Sequence, residues 1–267
     1  VASFDLATIA RRARNPRRKS ITLRDIIPPA VLATDLYRGV YSPVVAIWSR
    51  AAERVIAEYE RSLSALTTDA PVDIQRLLDE ADGEFSRILI LLSAALNDWS
   101  LRIERWQRGK WRGAVLSATG VDLETLIGPA DVRQTLQQYI EWNTSLVKDV
   151  SAQARQRIGA AAFSGLTQRL PARDVAKTIR EAVGMSRRRS INIASDQLSK
   201  LSSALADERR REAGLEEWEW VHSRKLHPRA SHVERNGKIY SDANPPPTMP
   251  GIEPFCGCRQ RARINFS

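Results

Sequence analysis

From Val44 onward, apolar residues recur at intervals of three and four: Val44, Ile47, Trp48, Ala51, Val55, Tyr59 and Leu63. That spacing is the period of a helix with one buried face, and it predicts a first long helix. A second run at the same period carries Ile74, Leu77, Leu78, Ala81, Phe85, Ile88, Leu89, Leu92, Leu96 and Trp99, and extends toward Ile103 and Trp106. Only Thr67 to Pro71 is left to turn between the two, and so short a connection predicts antiparallel neighbours. A helical hairpin is therefore expected over 36–112.

Gly109, Gly113, Gly120, Gly128 and Pro129 interrupt this pattern. Glycine and proline punctuate local structure, so a hinge is expected over 113–131, with Trp99, Trp106 and Trp111 beside it as packing or interface anchors. Leu136, Tyr139, Ile140, Asn143, Leu146, Val147, Val150 and Ala154 resume the helical period. Pro171 suits the first turn of a further helix, where its missing N–H costs little. Gly184 reads as the end of that helix. Ser186 then reads as the cap of the next, which runs through Ile191, Ala194, Leu198, Leu201 and Leu205.

Beyond Gly214 the period shortens. Trp218 to Val221, Lys238 to Tyr240 and Arg261 to Phe266 read as short strands, Asn236-Gly237 as a tight turn and Pro245-Pro246-Pro247 as a rigid extended connector. Trp218 and Trp220 alternate on one strand and so face the same side, where core packing is the expected role. There is no fixed-period repeat. The predicted fold is mainly α with a small C-terminal α+β module: an N-terminal helical hairpin, then helices over 132–212, then a β-rich module over 215–267 that holds every Cys and His.

Composition adds a charge asymmetry. The chain has 41 basic and 31 acidic residues in 267, and its 43% hydrophobic content argues against a wholly disordered protein. Residues 1–24 hold Arg11, Arg12, Arg14, Arg17, Arg18, Lys19 and Arg24 against Asp5, a net +6, and residues 256–267 add Arg259, Arg261 and Arg263 with no acid. The entire middle contributes +1 of the total +10. Basic ends suit a polyanion, because each neutralised phosphate releases counterions; a solvated tail without a ligand is the alternative. Residues 1–35 are expected to form a basic extended arm, since the Arg-rich runs are broken by Pro16 and show little period. Pro28-Pro29 and Pro43 mark the entry to the folded region. Arg187-Arg188-Arg189 reads as a solvated charged turn.

The longest purely apolar run, Ile88 to Leu92, is far short of the about 20 residues that cross a bilayer, so no membrane span is expected. The N-terminal residues lack a secretory-signal pattern. Two cysteines one residue apart make no ordinary disulfide framework. A reducing compartment is the expectation.

All three histidines and both cysteines lie between His222 and Cys258. Cys256-Gly257-Cys258 sets two thiols on one side of an extended strand. Tetrahedral zinc takes four Cys or His ligands, often as two close pairs. His227 with His232, or His222 with His232, would supply the second pair, which makes His222, His227, His232, Cys256 and Cys258 the metal candidates. Two reduced, partly buried thiols beside surface histidines are the alternative.

Trp220-Val221-His222-Ser223, Pro228-Arg229-Ala230-Ser231-His232, Asn236-Gly237-Lys238-Ile239-Tyr240, Pro250-Gly251 and Cys256-Gly257-Cys258-Arg259 together resemble the C-terminal signature of the phage Mu F-like minor head (head morphogenesis) family. Trp142-Asn143-Thr144-Ser145-Leu146-Val147 and Arg187-Arg188-Arg189-Ser190-Ile191-Asn192-Ile193-Ala194-Ser195-Asp196-Gln197 are similar to its helices, so the resemblance covers roughly 132–264. It implies a non-enzymatic, low-copy structural protein of the virion head, at the portal vertex or capsid interior after assembly in the host cytoplasm. The implied partners are the portal protein, the major coat protein and packaged double-stranded DNA. On that reading Arg11, Arg12, Arg14, Arg17, Arg18, Lys19, Arg259, Arg261 and Arg263 contact portal, coat or DNA. Some members have Cys-x-x-Cys where this chain has Arg229 and His232, which reads as a metal knuckle and implies a structural zinc. This sequence departs from the pattern at Arg229 and at Glu253, where a histidine often stands, so His222 and His227 compete for the fourth ligand.

A rival from another class is a zinc-dependent nuclease or toxin-like enzyme, with His232 and Asn236 beside Glu234 and Asp242; no second histidine follows to complete such a site. A host DNA-binding regulator is a third reading, but no helix-turn-helix recognition unit stands out.

Overall fold

The computed structural model describes residues 3–14, 18–65, 70–124, 126, 127 and 132–266. In chain order its elements are α1 (Leu6–Arg14), β1 (Ser20–Thr22), α2 (Ala30–Leu36), a π-helical turn (Tyr37–Tyr41), α3 (Ser42–Ala65), α4 (Ala70–Thr119), α5 (Arg133–Gln168), α6 (Ala172–Glu212), β2 (Glu217–Val221), α7 (Ala230–Glu234), β3 (Ile239–Ser241) and β4 (Arg259–Asn265). The chain is mainly α with a small antiparallel sheet, as the periodicities predict. Among the described residues no helix is long and apolar enough to cross a membrane. Two compact units divide the chain: Ala33–Trp99 with Ile140–Ala194, and Val1–Leu32 with Ser100–Tyr139 and Ser195–Ser267. The stretch 113–131, read as a hinge, falls within the second of these; Gly128 and Pro129 lie outside the described residues.

The first unit is helical. Arg54 pairs with Glu80 (2.6 Å), Arg61 with Asp73 (3.2 Å) and Arg50 with Glu84, so α4 descends by one residue for each that α3 climbs. That register is the antiparallel hairpin expected from the short connection, whose residues 66–69 lie outside the described set. The predicted apolar faces point inward: Val44, Trp48, Val55 and Tyr59 from α3, and Ile74, Leu78, Phe85 and Leu92 from α4, are all buried. α5 adds Val147, Val150, Ala154 and Ile158, and α6 adds Val175, Ile179 and Ala182. Three buried polar side chains in this interior are paired, which offsets the cost of removing them from water. The Tyr41 hydroxyl donates to Asn143 Oδ1 (3.0 Å), the Trp48 indole to Ser151 Oγ (2.8 Å) and the Tyr59 hydroxyl to the Leu170 carbonyl (2.8 Å).

Two expected breaks are absent. α4 passes through Gly109 and Gly113, and α6 through Gly184. The Ser186 hydroxyl donates back to the Ala182 carbonyl (3.1 Å) instead of capping a new helix. A single interior glycine costs about 1 kcal/mol relative to alanine, less than the packing of one buried aliphatic side chain such as Ile179 or Ile193 supplies.

The second unit corrects the reading of residues 1–35 as an extended arm. Asp5 caps α1: its carboxylate accepts the Thr8 backbone N–H (3.0 Å) and hydroxyl (2.6 Å). Leu6 and Ala10 then share a core with Leu23, Trp111, Val115, Leu215 and Ile264. The helical spacing of Leu6, Ile9 and Ala10 is easily overlooked among the arginines, and the arm folds because the rest of the chain offers that face a surface. β1 pairs antiparallel with β4 (Ser20 with Asn265, Thr22 with Arg263), giving a four-stranded sheet in the order β1-β4-β2-β3.

The sheet also changes the meaning of the basic C-terminus. Ala262 and Ile264 on β4 face inward, as do Trp218 and Trp220 on β2. Strand alternation sends Arg259, Arg261 and Arg263 to the opposite face, where Glu219 lies across from Arg261 and Glu217 across from Arg263. Those pairs close at 3.4 and 3.6 Å, and Arg259 grips Asp25 through two nitrogens at 2.9 and 2.6 Å. This segment is an inner strand whose charges are met by distant acids. A second set of ion pairs lies at the end of α6: Arg209 reaches Glu104 and Glu212 (both 3.0 Å), while Arg210 reaches Asp207 (2.8 Å) and Asp242 (2.7 Å), both guanidinium groups being fully buried.

Candidate metal centre

Two short turns build the site. α7 follows Arg229, whose carbonyl accepts the N–H groups of His232 (3.0 Å) and Val233 (3.1 Å), and this single turn carries the His232 ring into the interior. The second runs from Glu253 to Cys256, closed by the Cys256 N–H on the Glu253 carbonyl (3.0 Å). Phe255 within it holds a left-handed φ of 58°, uncommon for a side chain of that size. Both of its peptide groups are anchored: its N–H donates to Asp196 Oδ1 (2.6 Å) and its carbonyl accepts from Lys225 Nζ (2.7 Å). Upstream, Gly251 has φ 81°, and a Cβ there would stand 2.6 Å from Ser203 Oγ, so the position takes glycine on two counts.

His232, Cys256 and Cys258 come together, 3%, 3% and 2% exposed, with their ligand atoms all within 4.8 Å of one another. His232 Nδ1 lies 3.5 Å from Cys256 Sγ and 3.6 Å from Cys258 Sγ. In a tetrahedral zinc site with standard bond lengths, adjacent nitrogen and sulfur ligands stand about 3.6 Å apart. The three donors therefore fit a metal ion as three of the four ligands of a tetrahedral site. The Trp220 ring packs edge-on against His232, with ring centroids 5.2 Å apart.

The sulfurs share a proton unequally. A hydrogen bond from the Cys258 thiol pulls Cys256 down to about 5 against the opposing effect of burial, with the N–H groups of Cys258 and Gly251 adding to the pull. The same interaction and burial push Cys258 up. The direction of the shift favours the Cys256 thiolate, the form a metal requires.

The other sequence candidates lie elsewhere. Among the described residues His222 and His227 do not join the cluster: His222 Nδ1 accepts the Arg224 N–H (3.2 Å) just past β2, and His227 is exposed. Arg11, Arg12, Arg18 and Lys19 are exposed around α1 and β1, with Arg11 donating to the Phe266 carbonyl (2.6 Å). Arg17 and the side chain of Arg14 lie outside the described residues. Two residues read only as departures from the family pattern stand beside the cluster: Arg229 Nε and Glu253 Oε2 form an ion pair at 2.8 Å, and the same carboxylate oxygen lies 3.4 Å from His232 Nε2. Their opposite charges were visible in the sequence; their proximity, across 24 residues of chain, was not.

Comparison with known proteins bears on this segment. A protein of Haemophilus influenzae that carries the name "Uncharacterized protein" is 29% identical over 145 residues, 53% of this chain and 32% of that protein, so the match spans about a third of the relative's length. No solved structure matches. The family described as Phage Mu protein F like protein matches residues 156–261, which takes in the last third of α5, all of α6 and the whole Cys/His cluster. The resemblance read from the sequence motifs is therefore supported over residues 156–261, where this chain is similar to the phage Mu F-like family.

Proposed function

We propose that this chain is a non-enzymatic minor head protein that takes part in phage head morphogenesis, at the portal vertex or capsid interior, in contact with the portal and major coat proteins. The observation that carries the reading is the family match across 156–261, which contains the candidate metal centre. His232, Cys256 and Cys258 would hold a zinc ion as a structural cross-link between the α7 turn and the turn that leads into β4, beside the small apolar cluster of Trp218 and Trp220. Burial of the three donors and the edge-on Trp220 support a structural role over a catalytic one.

The exposed basic residues around α1 suit packaged DNA or an acidic capsid surface. Replacing Arg11, Arg12, Arg14, Arg17, Arg18 and Lys19 with alanine should flatten the salt dependence of DNA binding by several units, at about 0.9 for each phosphate no longer neutralised; an unchanged slope removes DNA from the reading. Arg259, Arg261 and Arg263 already have acidic partners, so their replacement should act on stability instead.

The direct test is quantitative mass spectrometry of DNA-filled particles and empty proheads from a producing lysate, counting this chain against the major coat protein. A few copies per particle in both supports an assembly component. Absence from particles, with free protein in the lysate, overturns the reading and favours the nuclease or toxin alternative. That alternative needs His232 to act on a water molecule, yet the ring is buried with Nδ1 turned toward two sulfurs.

A further inference from the structure

We propose that Glu253, held by Arg229, is a positioning residue of the metal centre: it accepts the Nε2–H of His232 and so selects the tautomer that presents Nδ1 to the ion. This rests on the reading that His232, Cys256 and Cys258 bind metal.

A neutral imidazole has one N–H and one lone pair, and the neighbours of each nitrogen decide which is which. His232 is buried, with Nδ1 facing the two sulfurs; Nε2 lies 3.4 Å from Glu253 Oε2 and makes no hydrogen bond of standard geometry, so that carboxylate is an acceptor within reach of a buried, unsatisfied nitrogen. A proton on Nδ1 would leave the Nε2 lone pair pointing at a carboxylate, an unfavourable arrangement in a buried site. With an ion between Nδ1 and the sulfurs, a proton on Nε2 gives that carboxylate a donor and leaves the Nδ1 lone pair free to bind the ion. A carboxylate on the far nitrogen of a metal-binding histidine is a recurrent device for fixing the ring and raising its basicity.

The support for Glu253 is built in. Arg229 Nε holds its carboxylate at 2.8 Å, and Arg229 Nη2 also donates to the Pro254 carbonyl (3.0 Å). The Glu253 carbonyl accepts the Cys256 N–H (3.0 Å) and Lys200 Nζ (3.2 Å). Arg229 precedes the turn that bears His232, and Glu253 opens the turn that bears Cys256, so one ion pair clamps the two halves of the site. The charges also close: a divalent ion balances the two buried thiolates, and Arg229, 46% exposed, balances the partly exposed Glu253 at the edge of the site.

The test is a cobalt(II) titration of the full chain, stripped of metal, read from the thiolate charge-transfer absorbance and repeated in competition with zinc. The wild-type chain should bind. Glu253→Ala should lose about 10- to 100-fold in cobalt affinity, Glu253→Gln should recover much of it because its amide oxygen still accepts, and Arg229→Ala should fall between. Glu253→Ala keeps the backbone carbonyl that Cys256 and Lys200 use, and far-UV ellipticity checks that it folds. Long-range 1H–15N spectra of the zinc-loaded chain should show His232 protonated at Nε2. Wild-type affinity in a folded Glu253→Ala, or a His232 protonated at Nδ1, overturns the inference and leaves the metal reading standing. No cobalt on the wild-type chain overturns both.

Discussion

Replacing Arg209 with methionine tests how the sheet-bearing unit is held together. The Arg209 side chain is fully buried and ion-paired to Glu104 and Glu212, both at 3.0 Å; Glu104 is itself 1% exposed, with one carboxylate oxygen lacking a hydrogen-bond partner. Methionine fills similar space but leaves the Glu104 charge in the interior beside Arg108, whose Nε lies 3.3 Å away and whose side chain is 27% exposed. Removing one partner of a buried pair costs about 3–5 kcal/mol. Arg108 remains beside Glu104 and Glu212 keeps some access to solvent at 13% exposed, so the expected loss is at the lower end, about 3 kcal/mol. At a urea slope of about 3 kcal/mol/M the midpoint then falls by about 1 M. The double variant Arg209→Met/Glu104→Leu should recover most of the loss, because no stranded charge remains. Urea unfolding followed by ellipticity and by amide exchange in β2 and β4 reads both effects. A single variant within 1 kcal/mol of wild type, or a double variant no more stable than the single, refutes the idea that the desolvated carboxylate sets the cost.

Gly251→Ala should destabilise the chain by about 2 kcal/mol, combining a left-handed φ of 81° with a Cβ placed 2.6 Å from Ser203 Oγ; adding Ser203→Ala should relieve only the steric part in thermal unfolding. Asp5→Ala should remove the cap of α1 at a cost of about 1 kcal/mol, seen as roughly fivefold faster amide exchange across Leu6–Arg14. The Thr8 hydrogen bonds hold the Asp5 carboxyl below its usual range, so its stabilisation is complete above the ordinary carboxylate pKa and disappears as pH falls through the depressed value. The exchange difference between wild type and Asp5→Ala should accordingly vanish in acid, and a difference that persists there would rule out the carboxylate as its source.

The sequence by itself determined what depends on neighbours along the chain. The period of three and four in α3, α4 and α5 marks their buried faces, the short link after Ala65 sets the hairpin antiparallel, and the alternation of Trp218 with Trp220 puts both indoles inside. The i, i+2 spacing of Cys256 and Cys258 likewise aims two thiols the same way before anything else is known, and the ordered motifs from Trp220 to Arg259 carry the family resemblance. Only the tertiary structure decided what depends on where the chain returns. It chose His232 over His222 and His227, because α7 brings that ring back to sulfurs 24 residues away. It turned Arg259 from a free tail charge into the partner of Asp25, 234 residues distant. It also folded α1, whose few apolar side chains gain a core from Leu23, α4 and the segment after it, β4 and the residues that follow α6. Periodicity reports local geometry, whereas the partner of a charge or a metal ligand is set by long-range closure, which one-dimensional spacing does not encode.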